Sequence, residues 1–113
     1  MKLRLYISGK ITGLKYSEVE IRFNKAEIML QKRYEVVNPT KINPITESEY
    51  EKMSEKKKEA FWHKCMKKDL KELKKCQIIY MLPDYETSKG ALLELEEARK
   101  LGLIVIFETK TVK

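Results

Sequence analysis

Three residues in this chain are of the right type, and in the right kind of place, to do chemistry on a small anionic ligand. Glu94 lies in Ser88-Lys89-Gly90-Ala91-Leu92-Leu93-Glu94-Leu95-Glu96-Glu97-Ala98, directly after the apolar run Ile78-Ile79-Tyr80-Met81-Leu82 and a short polar loop. That order reads as buried strand, loop and helix start. Ligands of open α/β sheets bind beyond the carboxyl ends of the strands. The free N–H groups of a helix start attract anions such as phosphate. A glutamate one turn into that helix meets the same ligand. Its stripe is Ala91, Leu92, Leu95 and Ala98, and Glu94 borders it on the side of the two alanines, where small neighbours leave room. The bland alternative is a surface carboxylate favoured by the helix dipole.

Asp69 is the second candidate. The helix around it carries Trp62, Met66, Leu70 and Leu73, and Asp69 falls inside that apolar face. A carboxylate there is costly unless paired or used. The competing reading is a salt bridge to Lys10 or Lys68. Tyr6 is the third candidate, on a strand that runs into Gly9-Lys10-Ile11-Thr12-Gly13, whose glycines allow close approach to a ligand. Ser88 reads both as a helix N-cap and as a phosphate contact, two uses of one helix end. Asp84, Tyr85 and Glu86 stand in the neighbouring loop and are expected to line the pocket. Trp62 is expected in the core.

These residues need a scaffold of alternating strands and helices. Strands are expected over 3–8, 34–37, 77–82 and 103–107. Helices are expected after a Ser17/Glu20 capping box, over 46–58, over 61–75 and over 89–101, the last stopped by Gly102. The first helix carries Val19, Phe23, Ala26, Ile28, Met29 and Leu30. Asn38-Pro39 and Asn43-Pro44 are breakers around an irregular stretch. The polar end, 108–113, is a possible fifth, edge strand. Alternation of this kind implies a parallel sheet with right-handed crossovers. Continuous apolar strands imply helices on both faces. The fold class is therefore a single α/β domain over 1–113, a flavodoxin-like or Rossmann-like three-layer sandwich with a four- or five-stranded parallel sheet. Its switch point lies between strands one and three, so the loops after Ser8 and Leu82 should meet at one cleft.

Composition narrows the classes. A chain of 113 residues with 42% hydrophobic content makes one core. No apolar run reaches the roughly 18–20 residues of a membrane span, the N-terminus reads as a strand rather than a signal peptide, and a cytoplasmic location is expected. Cys65, Cys76 and His63 give neither a disulfide framework nor a four-ligand zinc site, so no metal is expected. The net charge of +7 is concentrated: ten lysines against Glu55, Glu59, Asp69 and Glu72 lie between Lys52 and Lys75. A nucleic-acid surface is one reading. The lysines are not interleaved with stacking aromatics and no arginine lies in the run, which favours a solvated helix face. Such a surface would still draw in a phosphorylated small molecule.

An ordered set of residues runs through the chain: Tyr6-Ile7-Ser8-Gly9-Lys10-Ile11-Thr12-Gly13, Asn38-Pro39, Trp62, Met66-x-x-Asp69-Leu70-x-x-Leu73, Cys76, Met81-Leu82, and Ser88-x-Gly90-Ala91-x-x-Glu94-x-x-x-Ala98-x-x-x-Gly102. It resembles a family of small phage and bacterial proteins similar to the nucleoside 2-deoxyribosyltransferases and the 2′-deoxynucleoside 5′-phosphate N-hydrolases. The resemblance implies that Glu94 attacks the anomeric carbon, Tyr6 holds that carboxylate and Asp69 helps protonate the base. It implies that Ser88 and Gly90 receive a 5′-phosphate, that the stretch from Gly9 to Gly13 forms the first nucleotide-binding loop, and that Ser8 binds the ligand with it. The ligand would be a nucleotide or nucleoside, with no cofactor, in a homodimer or larger homo-oligomer. Three positions depart from the pattern: Thr12 stands where the hydrolases carry arginine, Gln77 where an acidic residue is usual, and Tyr85 is the nearest aromatic where tryptophan is usual.

Overall fold

The computed structural model describes residues 2–109. Four parallel strands form one sheet: β1 (Arg4–Ser8), β2 (Glu35–Val37), β3 (Ile78–Met81) and β4 (Ile104–Phe107), in the order β2-β1-β3-β4. Helices α1 (Tyr16–Leu30), α4 (Glu55–Leu73) and α5 (Lys89–Leu101) cover it, and two short helices, α2 (Pro39–Ile42) and α3 (Glu47–Glu51), lie between β2 and α4. The α/β class and the parallel sheet of the flavodoxin or Rossmann kind follow from the sequence. The order places the switch point between β1 and β3.

Strand residues alternate between the two faces, and this divides the core. Leu5, Ile7, Ile78 and Tyr80 face α1, where Val19, Phe23, Ala26 and Leu30 complete one layer. Tyr6, Ile79 and Met81 face the other side, packed with Leu73 of α4 and Ala91, Leu95 and Ala98 of α5. Tyr6 and Ser8, two residues apart, share this second face. The register Ser8↔Met81 ends both strands at one level.

Several local expectations change. The α1 helix starts at Tyr16 with Lys15 as its N-cap and no side-chain cap, so the Ser17/Glu20 box does not form; Thr46 and Glu49 make a capping box for α3 instead. Ile28 and Met29 are exposed, because they fall on the outer side of α1. The helix expected over 46–58 is broken at 52–54, where the Ser54 hydroxyl caps a new helix, and α4 starts at Glu55 instead of Phe61. The stretch after Asn38-Pro39 forms the single turn α2, because Asn38 caps it and Pro39 occupies its first turn. Glu108 and Thr109 form no strand; the rest of the expected fifth strand, 110–113, lies outside the described residues. No described helix is long and apolar enough to cross a membrane.

Candidate functional site

At the carboxyl ends of β1 and β3 a cavity of about 760 Å³ opens between α4, α5 and the β1–α1 loop. Its floor holds two buried carboxylates, Glu94 and Asp69. Glu94 reaches the strand ends because Ala91 and Ala98, one turn to either side, let α5 sit close to the sheet. The Tyr6 hydroxyl donates to Glu94 Oε2 at 2.6 Å, and the Ser8 hydroxyl donates to Oε1 at 2.7 Å. Both oxygens thus meet a donor from the same face of β1. Ser8, expected to bind the ligand, is fully buried and outside the cavity lining, its hydroxyl spent on Glu94; Tyr6 itself is fully buried and outside the lining as well. It positions the glutamate and does not touch what fills the pocket.

Asp69 arrives from α4, on the buried stripe Met66, Asp69 and Leu73. Its Oδ1 accepts from Asn43 Nδ2 at 2.9 Å. No lysine pairs with it among the described ion pairs, so the expected bridge to Lys10 or Lys68 does not form. Asn43 is held in place by the α2 turn, where Asn38 accepts from Thr40 N at 3.0 Å and donates to Asn24 and Glu27.

Burial dominates the electrostatics. It pushes the Asp69 carboxyl up to about 7, against the opposing pull of the Asn43 and Tyr6 hydrogen bonds. Burial, and then the charge of Asp69, push Glu94 up to about 8, against the Tyr6 and Ser8 donors. Burial, then Glu94 and Asp69, hold Tyr6 well above its ordinary value, so it stays a donor. Two carboxyls this close and this dry share protons as a pair. Two factors oppose each other: the hydroxyls on both Glu94 oxygens favour its ionised form, whereas values of about 7 and about 8 have Asp69 lose its proton first; attack by Glu94 needs the arrangement with the remaining proton on Asp69.

The loop residues divide. Gly9, Lys10, Ile11 and Thr12 line the cavity; Gly13, exposed with φ of +87°, does not. The Lys10 Nζ donates to Thr87 Oγ1 at 3.2 Å and ties the first loop to the third. A Cβ on Gly9 would lie 2.8 Å from Leu82 Cδ1, so the glycine lets the ends of β1 and β3 close together. Ser88 lines the cavity, and its hydroxyl accepts from Ala91 N at 3.2 Å as the α5 cap. Gly90 lines it as well, and a Cβ there would meet Met66 Sδ at 3.3 Å and Trp62 Nε1 at 3.5 Å. Its missing side chain makes room for α4.

Asp84, Tyr85 and Glu86 are not part of the lining. Asp84 sits 3.9 Å from Arg22 of α1, and Tyr85 packs on Phe107 of the edge strand at 5.3 Å, both drawn away from the cleft. Trp62 is not a core residue. It lines the cavity with Lys89 Nζ 5.1 Å from its ring centroid. Phe61, also inside the lysine-rich run, lines it too, together with Tyr16 and Tyr50. The lysines at 64, 67, 68, 71, 74 and 75 are exposed, as a solvated helix face requires. Asn43, Tyr16 and Tyr50 carried no sequence signal beyond an Asn-Pro breaker and two aromatics. Cys65 lines the cavity and Cys76 is buried, both as free thiols. Among the described residues no group of three or more His, Cys, Asp or Glu could hold a metal ion.

The class defined by fold and site is an α/β sandwich with a carboxylate pair at its switch point. The chain belongs to the family described as domain of unknown function DUF4406, which it matches over residues 3–107. No curated protein matches it.

Proposed function

We propose that this chain acts on the N-glycosidic bond of a (deoxy)nucleoside 5′-monophosphate, by hydrolysis or by transfer to another base. The observation that carries this reading is the Glu94 carboxylate, buried at the cavity floor with a hydroxyl on each oxygen and a second carboxyl beside it. A glutamate so held is oriented for attack rather than solvated. In the first step a Glu94 oxygen bonds to C1′ as the C1′–N bond breaks. The base takes the bond electrons and a proton from Asp69. In the second step water bonds to C1′ as the glutamyl ester breaks, and its proton passes to Asp69. An acceptor base in place of water gives transfer. Ser88 and the start of α5 would meet the 5′-phosphate, with Lys10 and Lys89 nearby. The resemblance to the deoxyribosyltransferases and nucleotide N-hydrolases points the same way and adds a homo-oligomeric assembly, which light scattering reads directly.

A second reading, nucleotide binding without turnover, draws on the raised Glu94: a carboxyl pushed up to about 8 is largely neutral at pH 7 and then a poor nucleophile. Incubation with the set of deoxynucleoside and ribonucleoside monophosphates, followed by chromatography for free base, tests both. Free base with wild type and none with Glu94→Gln supports cleavage. Binding without base release at any pH from 5 to 9 supports the second reading. Neither binding nor release overturns both.

A further inference from the structure

The cavity extends well beyond the carboxylate pair. One helix lines it from Glu55 to Asp69, and fourteen steps of 1.5 Å make that wall about 21 Å long. The volume of about 760 Å³ lies in the upper part of the range of about 300–1,000 Å³ for small-molecule sites. Along α4 the lining changes in order. Asp69, opposite Glu94, is at the inner end. Trp62 follows beside Lys89 and the start of α5. Phe61 and Lys58 come next, beside Tyr50 of α3, and Glu59, Lys56 and Glu55 complete the outer end.

This outer end is an aromatic chamber. Tyr16 stacks on Tyr50 with centroids 5.8 Å apart, and Phe61 meets Tyr50 edge-on at 6.4 Å. Lys58 Nζ lies 4.9 Å from the Tyr50 centroid, as Lys89 lies over Trp62. The site thus has two aromatic rings, each covered by an ammonium; Lys58 also lies 4.0 Å from Glu55, which lines this end with Glu59. A base stacked on such a ring is stronger than a surface cation–π contact. An incoming ring would therefore displace the lysine, whose charge would then meet a phosphate in competition, at Lys58, with Glu55.

We propose that the outer chamber binds a second nucleoside unit joined through the 5′-phosphate of the unit placed at Glu94, so that the preferred ligand is a dinucleotide. This rests on the cleavage site proposed above. The bridging phosphate lies between the two lysines, and the second base stacks in the Tyr50–Phe61 chamber. The linkage has two possible sources, a 5′,5′-diphosphate bridge or a 3′,5′-phosphodiester.

The test is titration calorimetry with three probes: deoxyadenosine 5′-monophosphate, diadenosine 5′,5′-diphosphate and deoxyadenylyl-(3′→5′)-deoxyadenosine, with the cytosine series in parallel. The proteins are wild type, Tyr50→Ala and Phe61→Ala, each checked for an unchanged melting transition. At least one dinucleotide should bind about tenfold more tightly than its monophosphate, the size of one stacking contact. Either substitution should remove that advantage and leave monophosphate binding within about twofold. The dinucleotide that gains identifies the linkage. Equal binding of mono- and dinucleotides overturns the inference, as does an equal loss for both in the variants. A monophosphate that is bound and cut while no dinucleotide gains leaves the proposed function standing and this inference fallen. A dinucleotide that binds through Tyr50 but releases no base leaves the chamber standing and the cleavage reading fallen.

Discussion

The Tyr6 hydroxyl and the Glu94 carboxylate are 88 positions apart in sequence and 2.6 Å apart in space, the tyrosine fully enclosed and the glutamate buried at the cavity lining. The tyrosine is pinned by β1 and the glutamate by α5, so neither can turn away. A hydrogen bond of this length to a buried carboxylate is charge-assisted and orients the acid.

Removal of the nucleophile follows first. Glu94→Gln should lower base release by about 10⁴-fold or more, because an amide oxygen cannot form the glycosyl ester. One of the Tyr6 and Ser8 hydroxyls can still donate to the amide oxygen and the other can accept from the amide NH2, so the fold should persist. The quantity to measure is single-turnover base release, with circular dichroism as the check on folding. Wild-type-like release would remove Glu94 from the mechanism.

Tyr6→Phe deletes one donor and leaves the ring packing intact. Turnover should fall about 10–100-fold, in line with one lost charge-assisted hydrogen bond of about 1.5–3 kcal/mol. The same loss lets burial push Glu94 further up, so the acid limb of the rate profile should move to higher pH. A drop in rate without that movement would mean that the hydroxyl acts elsewhere.

The carboxyl pair gives the pH dependence. The active state has one proton on the pair, so the rate falls when both are protonated and when both are ionised. With Asp69 pushed to about 7 and Glu94 to about 8, the profile should be a bell with its maximum between those values. Asp69→Asn removes the neighbouring charge that helps raise Glu94. Its alkaline limb should vanish, because no second carboxyl is left to ionise, and its maximal rate should fall.

Stability carries the same signature. Both carboxyls titrate higher when folded than when unfolded, so the native state holds more protons between about pH 4 and 8. Stability is therefore greatest below the unfolded values near 4 and declines as pH rises through 7 and 8. Asp69→Asn should flatten that decline and stabilise the protein at pH 8 by about 1 kcal/mol or more. Urea melts at pH 5 and pH 8 compare the two proteins; an unchanged slope in the variant would contradict the buried-pair account.

Ser88→Asp separates cap from phosphate contact. Aspartate is as good an N-cap as serine, so α5 should keep its start. Its charge should repel a 5′-phosphate by something on the order of 1–3 kcal/mol and spare the matching nucleoside. Four affinities at matched salt provide the ratio. Equal losses for both ligands, or none, would leave Ser88 as a cap alone.

Much of this molecule can be read along one dimension. Apolar runs of four to six residues and helical stripes are local patterns, so the alternation of strands and helices, the class of the α/β sandwich and a cleft beyond strands one and three follow from periodicity and chain order. Two-residue alternation even puts Tyr6 and Ser8 on the same face. The sequence by itself determined the class of fold and the carboxylate pair. The tertiary structure alone decided what surrounds them. Trp62 and Phe61 have the same apolar character as core residues; only the break after Glu51 and the early start of α4 turn them toward a cavity. Asp69 takes Asn43 as its partner instead of a lysine because α2 brings the amide to it, which no spacing along the chain encodes. Asp84 and Tyr85 sit in the correct loop, but Arg22 and Phe107 draw them off the cleft. Contacts between distant segments depend on how helices pack on the sheet, and that packing is a property of the whole core rather than of any one stretch of residues.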